Sequence, residues 1–120
     1  MIGVDIVDIA RIEAAWKRHG MRLASRILCA QELVEFGRSH HQPHVFLAKR
    51  FAAKEAVSKA LGVGIGAHLS FQDIIITHDS AGKPEAIASN NIFRNTRLHL
   101  SLADDAGVVV AYAMMFNKHH

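Results

Sequence analysis

Residues 44–61 limit how this chain can fold more than any other segment, because they contain neither glycine nor proline. Apolar side chains recur there every three or four positions, which is the spacing of one face of a helix. Gly62 follows directly, and glycine is the residue that most often ends a helix. The sequence therefore predicts one long, half-buried helix, against which the remaining elements pack.

Short apolar segments typical of strands lie on both sides of this helix. They are residues 1–6, 71–78, 85–88, 98–102 and 108–116. The last segment is apolar almost without alternation, which predicts a strand covered on both faces, by the core or by another subunit. Helical patterns begin at Asp8 and continue to Phe36. Early helices and late strands predict an α+β fold, a single domain over residues 1–120 in which an antiparallel sheet packs against one long helix and shorter helices.

The charge balance points to an anionic partner. The 120 residues include 14 Lys and Arg against 11 Asp and Glu, a formal net charge of +3. Such an excess favours phosphates, an acidic protein or nucleic acid, without choosing among them. His119 and His120 are interpreted as a candidate tag remnant and receive no functional role.

Cysteine content and hydropathy limit the cellular compartments in which this protein is expected. Cys29 is the only cysteine, so an internal disulfide and a cysteine-cluster zinc site are excluded, which fits a reducing environment. No apolar run has the length of a membrane span. The first residues are acidic and apolar, unlike a secretory signal. We therefore expect a cytoplasmic protein.

Asp5 is the first candidate site residue, because it lies inside an apolar strand segment. A buried lone carboxylate is costly unless it is paired, hydrogen-bonded or bound to a metal. Asp8 directly precedes a helical pattern and is expected to cap that helix. A structural role is therefore predicted for Asp8, whereas Asp5 remains a candidate for pairing, hydrogen bonding or metal binding.

Glu55 and Lys59 are four residues apart on the long helix and therefore share one face. One interpretation is an ordinary surface pair worth about 0.2–0.5 kcal/mol. The other is a metal-binding carboxylate beside a cation that contacts a phosphate. Asp5 and Glu55 together suit Mg²⁺, which takes one or two protein carboxylates and keeps several waters. The residues alone leave both interpretations open.

Glycines and a histidine supply two weaker signals. Gly62, Gly64 and Gly66 follow the C-terminal end of the long helix, where the dipole disfavours anions, so a Walker-type phosphate loop is excluded. A flexible cap and a backbone that approaches a ligand both remain open. His99 alternates with leucines in a predicted strand, so it is exposed or faces a ligand.

Three segments carry a family resemblance. GVDIVDI begins at residue 3, FLAKRFAAKEA begins at residue 46 and continues through SKALGVGI, and HLSLAD begins at residue 99. FQDI from residue 71 and GKP from residue 82 fit the same pattern. In this order and spacing they resemble the holo-acyl-carrier-protein synthase family over nearly the whole chain.

The resemblance implies a 4′-phosphopantetheinyl transferase of fatty acid biosynthesis. Such an enzyme takes coenzyme A, transfers the phosphopantetheine arm to a serine hydroxyl of apo-acyl carrier protein, and releases adenosine 3′,5′-bisphosphate. It also implies Mg²⁺ as cofactor and a homotrimer with the site between subunits. A homotrimer would cover the second face of residues 108–116.

The resemblance also implies roles for individual residues. Asp5 and Glu55 match the two Mg²⁺ ligands, and Lys59 matches the lysine that stabilises or protonates the leaving group. The positions matched to coenzyme binding are Arg50, Lys59, Gly64 and His99. The positions matched to the carrier-docking surface are Arg11, Arg18, Arg22 and Arg26. Larger relatives carry G-x-D-x-E, whereas this chain has Val7 at the last position, so water should replace a third protein ligand.

The alternative function is a non-catalytic basic module that binds nucleic acid. The sequence has no arginine-rich run and no aromatic-rich strand of the type that stacks on RNA bases, and it has one Trp and one Tyr. The expected partners are therefore coenzyme A and a carrier protein, without nucleic acid or membrane.

Overall fold

The computed structural model describes residues 1–39 and 42–116, and the candidate tag remnant lies outside them. Within these residues five strands form one antiparallel sheet in the order β1-β5-β4-β3-β2. The strands are β1 Ile2–Asp8, β2 Ile74–His78, β3 Pro84–Ala88, β4 Thr96–Asp105 and β5 Val108–Met115. The helices are α1 Ile9–His19, α2 Met21–Ile27, α3 Ala30–Arg38 and α4 Pro43–Ala60, and a 3-10 turn covers Phe71–Asp73. The predicted α+β architecture is confirmed.

Helix α4 is the predicted long helix, and it packs against the inner face of the sheet, mainly on β1 and β5. Pro43 occupies its first turn, where a missing N–H costs nothing. Small side chains dominate its buried surface: Ala48, Ala52, Ala53, Ala56 and Ala60. Ala111 and Ala113 of β5 are equally buried opposite them. The alanines let helix and sheet approach closely without leaving voids.

Gly3 marks the closest approach between β1 and α4. A β-carbon at Gly3 would overlap the carbonyl oxygen of Ala56 and lie 2.5 Å from the backbone nitrogen of Ala60. Glycine inside a strand is typical of a place where another backbone comes very near. The GVD segment therefore has a structural reason for its glycine, which is to bring β1 against α4.

The sequence predicts that strand β5 is covered on both faces, by the core or by another subunit, and the single chain shows the part played by the core. Val109, Ala111 and Ala113 face α4, but the residues between them are exposed in the single chain. The core therefore covers one face of β5 and not both. The exposed side chains of β1 and β5 form what we call the outer apolar face: Ile2, Val4, Ile6, Val110, Tyr112 and Met114.

Element boundaries agree with the sequence to within one residue except at three strands. Strand β4 is longer at both ends than the predicted residues 98–102, because it pairs with β3 from Thr96 and with β5 as far as Asp105. Strand β1 continues past the predicted residue 6, because β5 pairs with it as far as Asp8. The strand predicted over residues 71–78 begins only at Ile74, because a 3-10 turn precedes it and the Asp73 carboxylate accepts from the Ser70 N–H at 3.0 Å. Asp8 caps α1 as predicted, accepting from the Ala10 N–H at 3.0 Å. No helix in the described part of the chain could cross a membrane.

Candidate active site

Asp5, Glu55 and Lys59 come together where β1 lies against α4. Asp5 follows Gly3 on the inner face of β1, and Glu55 precedes the alanine that Gly3 contacts. The Lys59 ammonium lies 3.0 Å from an Asp5 carboxylate oxygen and donates to the Val4 carbonyl at 3.2 Å. Two residues 50 positions apart in sequence, Asp5 and Glu55, therefore reach one cluster because a glycine lets their elements touch.

The two carboxylates of this cluster repel each other. Burial raises the pKa of Glu55, the Asp5 charge raises it further, and Lys59 opposes both effects. The Asp5 side chain is 13% exposed and that of Lys59 is 50% exposed, so the cluster opens to solvent on the lysine side. A cation bound between two neighbouring carboxylates stabilises their charged forms, and this pair is open to a cation from solvent.

The donor set suits a hard cation with few protein ligands. Asp5 and Glu55 supply carboxylate oxygens only, which Mg²⁺ prefers, and Mg²⁺ commonly keeps several waters. Over residues 1–39 and 42–116 no group of three or more His, Cys, Asp and Glu side chains is placed to hold a metal. Val7, at the position of a third acid in larger relatives, is a buried apolar side chain. Water would therefore have to complete the coordination.

Gly64 lies in the loop that leaves α4 next to this cluster. The N–H groups of Val63 and Gly64 both donate to the Ser58 carbonyl at 3.2 Å, which folds the loop back over the helix end. Gly64 has φ of +68°, a conformation that glycine adopts at no steric cost. The loop thus begins two residues after Lys59, and the Gly62 N–H donates to the Lys59 carbonyl at 3.0 Å.

His99 lies on the opposite face of the sheet from Asp5. Asp5 pairs with Ala111 on the inner face, whereas His99 pairs with Met114 of the outer apolar face. The His99 ring packs on Phe116 with ring centroids 3.8 Å apart. It borders a groove of about 510 Å³ that is lined by Lys83, Pro84, Ser101, Tyr112 and Met114, among others. One chain therefore cannot bring His99 and Asp5 into the same cleft.

Arg50 lies in the interior, with its side chain 6% exposed. Its guanidinium donates to Glu32 at 3.2 Å and to Glu35 at 2.9 Å, and it stacks over Phe46. This placement does not support the predicted contact of Arg50 with coenzyme phosphates, because its terminal nitrogens already hold two carboxylates. Arg50 is left out of the proposed site for that reason.

Glu32 and Lys54 form a buried ion pair that the sequence did not indicate. The Lys54 ammonium lies 2.6 Å from Glu32 and also donates to the carbonyls of Ile27 and Phe71, each at 2.9 Å. Burial opposes ionisation of Glu32, but the Lys54 charge and hydrogen bonds from Lys54 and backbone N–H groups outweigh it and lower the pKa of Glu32. The one signal in the sequence was spacing, since Arg50, Lys54 and Ser58 recur every four residues along a buried stripe of α4.

The predicted docking arginines are on the surface of the first two helices. Arg11 and Arg18 belong to α1, and Arg22 and Arg26 belong to α2; all four are exposed. Within the described residues none of them takes part in an ion pair. Arg22 and Arg26 line a shallow groove of about 170 Å³ together with His19 and Leu23. Their charges are therefore available to an anionic surface.

Comparison with known proteins gives the same result at the levels of family, sequence and structure. Residues 1–113 match the family described as the 4′-phosphopantetheinyl transferase superfamily. A holo-(acyl-carrier-protein) synthase of Dechloromonas aromatica is 42% identical over 119 residues, which cover 95% of this chain and 94% of that protein. The crystal structure of the Neisseria meningitidis synthase is similar at TM-score 0.84 and 40% identity, with 97% of each chain covered. The Helicobacter pylori synthase in complex with coenzyme A is similar at TM-score 0.83 and 39% identity, covering 97% of this chain and 100% of that one.

Proposed function

The chain belongs to the 4′-phosphopantetheinyl transferase superfamily, and we propose that it transfers the phosphopantetheine group of coenzyme A to a serine hydroxyl of apo-acyl carrier protein. The similar Helicobacter pylori protein is known in complex with coenzyme A. The observation that carries the proposal for this chain is the meeting of Asp5, Glu55 and Lys59 at the contact between β1 and α4. This function replaces the alternative of a nucleic-acid-binding module.

The reaction exchanges the phosphoanhydride bond in the diphosphate of coenzyme A for a phosphodiester bond to serine. The serine oxygen of the carrier bonds to the phosphorus that bears the pantetheine arm, and the bond from that phosphorus to adenosine 3′,5′-bisphosphate breaks. The serine proton leaves to solvent or a nearby base, and the leaving phosphate accepts a proton or a hydrogen bond. The nucleophile thus belongs to the partner, so the chain needs groups that orient the diphosphate and stabilise its developing charge.

Asp5 and Glu55 would hold Mg²⁺ together with water. When bound, Mg²⁺ would neutralise the negative charge on the diphosphate of coenzyme A. Lys59, half exposed beside the acids, would direct its ammonium to the leaving phosphate oxygen. Gly64 would place backbone close to the coenzyme. These residues position the diphosphate and stabilise its charge, so none of them has to act as a nucleophile.

A homotrimer with sites between subunits is part of the proposal. Ile6 is 68% and Tyr112 45% exposed in the single chain, so the outer apolar face offers a continuous surface that another copy can cover. His99 borders that face, while Asp5 lies on the other side of the sheet. His99 would therefore contribute to a coenzyme site whose acids come from a neighbouring copy.

Arg11, Arg22 and Arg26 would dock the carrier protein, with Arg18 beside them. Carrier proteins of this pathway are acidic, and complementary charge speeds encounter and sets orientation more than it adds affinity. The exposure of the arginines and their freedom from ion pairs within the described residues support this assignment. We also propose a cytoplasmic location, which fits the single thiol of Cys29.

Mass spectrometry of the carrier tests the proposal directly. The protein is incubated with coenzyme A, Mg²⁺ and an apo-carrier that a known synthase modifies, and the carrier should gain the mass of phosphopantetheine. Glu55→Gln, which removes a charge and almost no volume, should reduce the rate by about 100-fold or more. A carrier whose acceptor serine is replaced by alanine controls for other modifications. An unmodified carrier with the unaltered protein would show the proposed function to be wrong.

A further inference from the structure

Helix α2 carries two of the docking arginines but has few means of holding its own position. It is only seven residues long, and an isolated helix of that length is unstable in water. Its N-terminal cap is Gly20, which supplies no side-chain hydrogen bond. Ala24 and Ile27 are its buried residues. Something other than its own sequence must therefore fix the direction in which Arg22 and Arg26 point.

The free carbonyls at the end of α2 are bound by two side chains from elsewhere. The Ala24 carbonyl still has a backbone partner at the end of α2, since it accepts from the Leu28 N–H at 2.9 Å. The Gln72 amide nitrogen donates to the Ser25 and Arg26 carbonyls at 2.6 and 3.0 Å. The Lys54 ammonium donates to the Ile27 carbonyl at 2.9 Å. The last three carbonyls of α2, which a helix end leaves without partners, are thus all satisfied by donors outside the helix.

Gln72 is itself held in a fixed place. It is the middle residue of the 3-10 turn, whose ends are tied by reciprocal hydrogen bonds between Ser70 and Asp73. Asn90 donates to the same Asp73 carboxylate at 3.1 Å. Phe71, on the other side of Gln72, is buried and packs on Phe51 of α4 with centroids 5.4 Å apart. Gln72 therefore connects α2 to the turn that begins β2, while Lys54 connects it to the helix that carries Glu55.

We infer that Gln72, assisted by Lys54, is a positioning residue that sets the orientation of the carrier-docking arginines relative to the Asp5–Glu55 site. The inference rests on the proposed function, because it assigns α2 to carrier docking. Gln72 touches no reacting atom in this scheme. Its amide acts through Arg22 and Arg26, so its loss should affect the carrier and leave the coenzyme unaffected.

Gln72→Met tests this role, because methionine has similar length and no donor. Hydrogen exchange should show faster exchange of the α2 amides and unchanged exchange in α4. The Michaelis constant for apo-carrier should rise about 3- to 10-fold, with kcat and the Michaelis constant for coenzyme A unchanged. This equals the loss of about one neutral hydrogen bond, because both bonds come from one amide nitrogen and lie where water can replace them. Gln31→Met is the matched control, since Gln31 is exposed on α3 and its side chain makes no hydrogen bond within the described residues.

Two further variants separate a positioning role from direct contact between Gln72 and the carrier. Gln72→Lys keeps a donor and should restore slow exchange in α2, whereas Gln31→Lys adds the same charge without that effect. In a chain that already carries Arg22→Ala and Arg26→Ala, Gln72→Met should no longer raise the Michaelis constant for carrier, because the groups through which it acts are gone.

The outcomes distinguish this inference from the proposed function. Unchanged exchange of α2 in Gln72→Met, or fast exchange with an unchanged Michaelis constant for carrier, would overturn the positioning role while the transferase function stands. An effect of Gln72→Met that persists without Arg22 and Arg26 would also overturn it, since Gln72 would then contact the carrier itself. If the unaltered protein modifies no carrier, the function is wrong and the positioning role falls with it.

Discussion

The ammonium group of Lys59 lies 3.0 Å from the carboxylate of Asp5 and joins α4 to β1 at the proposed site. In this arrangement the lysine is the counter-ion of an acid that we assign to Mg²⁺. A divalent cation bound between Asp5 and Glu55 would take the place of that ion pair. Lys59 would then be free to reach a phosphate oxygen, since half of its side chain is already exposed.

Lys59→Met should therefore have opposite effects on metal binding and on transfer. Removing the competing ammonium should tighten Mg²⁺ binding about 3- to 10-fold, the range expected from breaking a partly exposed ion pair. The transfer rate should fall, because the leaving phosphate loses its cation. Calorimetric titration with Mg²⁺ and the mass-spectrometric transfer assay measure the two effects separately.

Lys49→Met is the control for this prediction. Lys49 lies on the same helix and pairs with Asp104 at 3.7 Å, away from the acids of the site. Its replacement should leave both Mg²⁺ affinity and transfer unchanged. If Lys59→Met bound Mg²⁺ no more tightly than the unaltered protein, the Lys59–Asp5 ion pair would not compete with the metal. The assignment of Asp5 as a Mg²⁺ ligand would then be incorrect.

Gly3→Ala should damage both stability and the site. The new β-carbon would overlap the Ala56 carbonyl, so β1 must move away from α4 and take Asp5 with it. We expect a loss of about 1–3 kcal/mol in the free energy of unfolding, the usual cost of overpacking. Mg²⁺ affinity should fall as well, because Asp5 and Glu55 separate. Urea denaturation and calorimetric titration give these values.

Gly37→Ala provides the comparison for Gly3→Ala. Gly37 lies in α3, and a β-carbon there has no neighbour within 4 Å. Alanine should stabilise that helix by about 0.5–1 kcal/mol. Equal stability changes at the two glycines would contradict the close approach of β1 and α4.

Periodicity predicted most of the architecture. Helix α4 agrees with the segment free of glycine and proline, and β4 agrees with the alternation of Leu98 and Leu100 with His99. The acids and the lysine of the site are candidates from their positions in the sequence, and the family resemblance implies their roles. Their meeting depends on Gly3, whose packing role no pattern reveals. Local spacing fixes secondary structure, but which strand touches which helix is a property of the folded chain.

Three features of the structure could not be predicted from the sequence, each for a physical reason. The burial of Lys54 and Glu32 runs against the preference of charged side chains for water, and it becomes favourable only when several partners meet in space. For the exposed face of β5 the sequence left open whether the core or another subunit covers it, because the centre of an interface between subunits is nearly as apolar as a core. The family resemblance matched Arg50 to the coenzyme phosphates, yet its guanidinium is buried and binds Glu32 and Glu35.

Glu32→Gln should lower the free energy of unfolding at neutral pH. It should also make that free energy depend less on pH in the acid range. The pKa of Glu32 lies below its usual value, so its contribution is complete above about pH 4.3 and is lost as the pH falls through the lowered pKa of the folded state. The variant leaves Lys54 buried without its anion and Arg50 paired with Glu35 alone. Removing one partner of a buried ion pair typically costs about 3–5 kcal/mol. Below about pH 4.3 the variant should lose less stability per pH unit than the unaltered protein.

Denaturation with urea from pH 3 to pH 7 measures both effects. Glu35→Gln serves as comparison, because Glu35 also pairs with Arg50 but its side chain is 52% exposed. That substitution should cost less than about 1 kcal/mol. Similar losses for the two variants would mean that burial of Glu32 does not determine the strength of this network.

Arg22→Glu should weaken carrier docking without affecting coenzyme binding. Charge reversal on the exposed face of α2 places an acid opposite an acidic partner, so the Michaelis constant for carrier should rise roughly tenfold or more. The Michaelis constant for carrier should also depend less on salt concentration than it does in the unaltered protein. Arg94→Glu makes the same change on an exposed arginine between β3 and β4 and should have little effect. An unchanged Michaelis constant in Arg22→Glu would show that α2 is not the docking surface.

The outer apolar face predicts that copies of this chain assemble through it. A single charged side chain placed in that face should prevent the assembly. Ile6→Lys alters a side chain that is 68% exposed in the single chain, so the variant should fold and yet sediment as a 13.2 kDa monomer. Ile92→Lys is the matched control, because Ile92 is 58% exposed but lies in the connection between β3 and β4. A monomer should also lose transfer activity, since Asp5 and His99 then have no shared cleft. An assembled, active Ile6→Lys protein would contradict the interface.

Mixing two inactive variants tests whether each site is shared between copies. Glu55→Gln removes an acid of α4, which packs on the inner face of the sheet, and His99→Ala removes a group on the outer face. If a site takes Glu55 from one copy and His99 from the next, random reassembly of an equal mixture restores about a quarter of the sites. If both residues served a site within one chain, no mixture could contain an intact site. Recovered transfer after unfolding and refolding the two variants together, but not separately, is therefore the expected result, and its absence would place the site within a single chain.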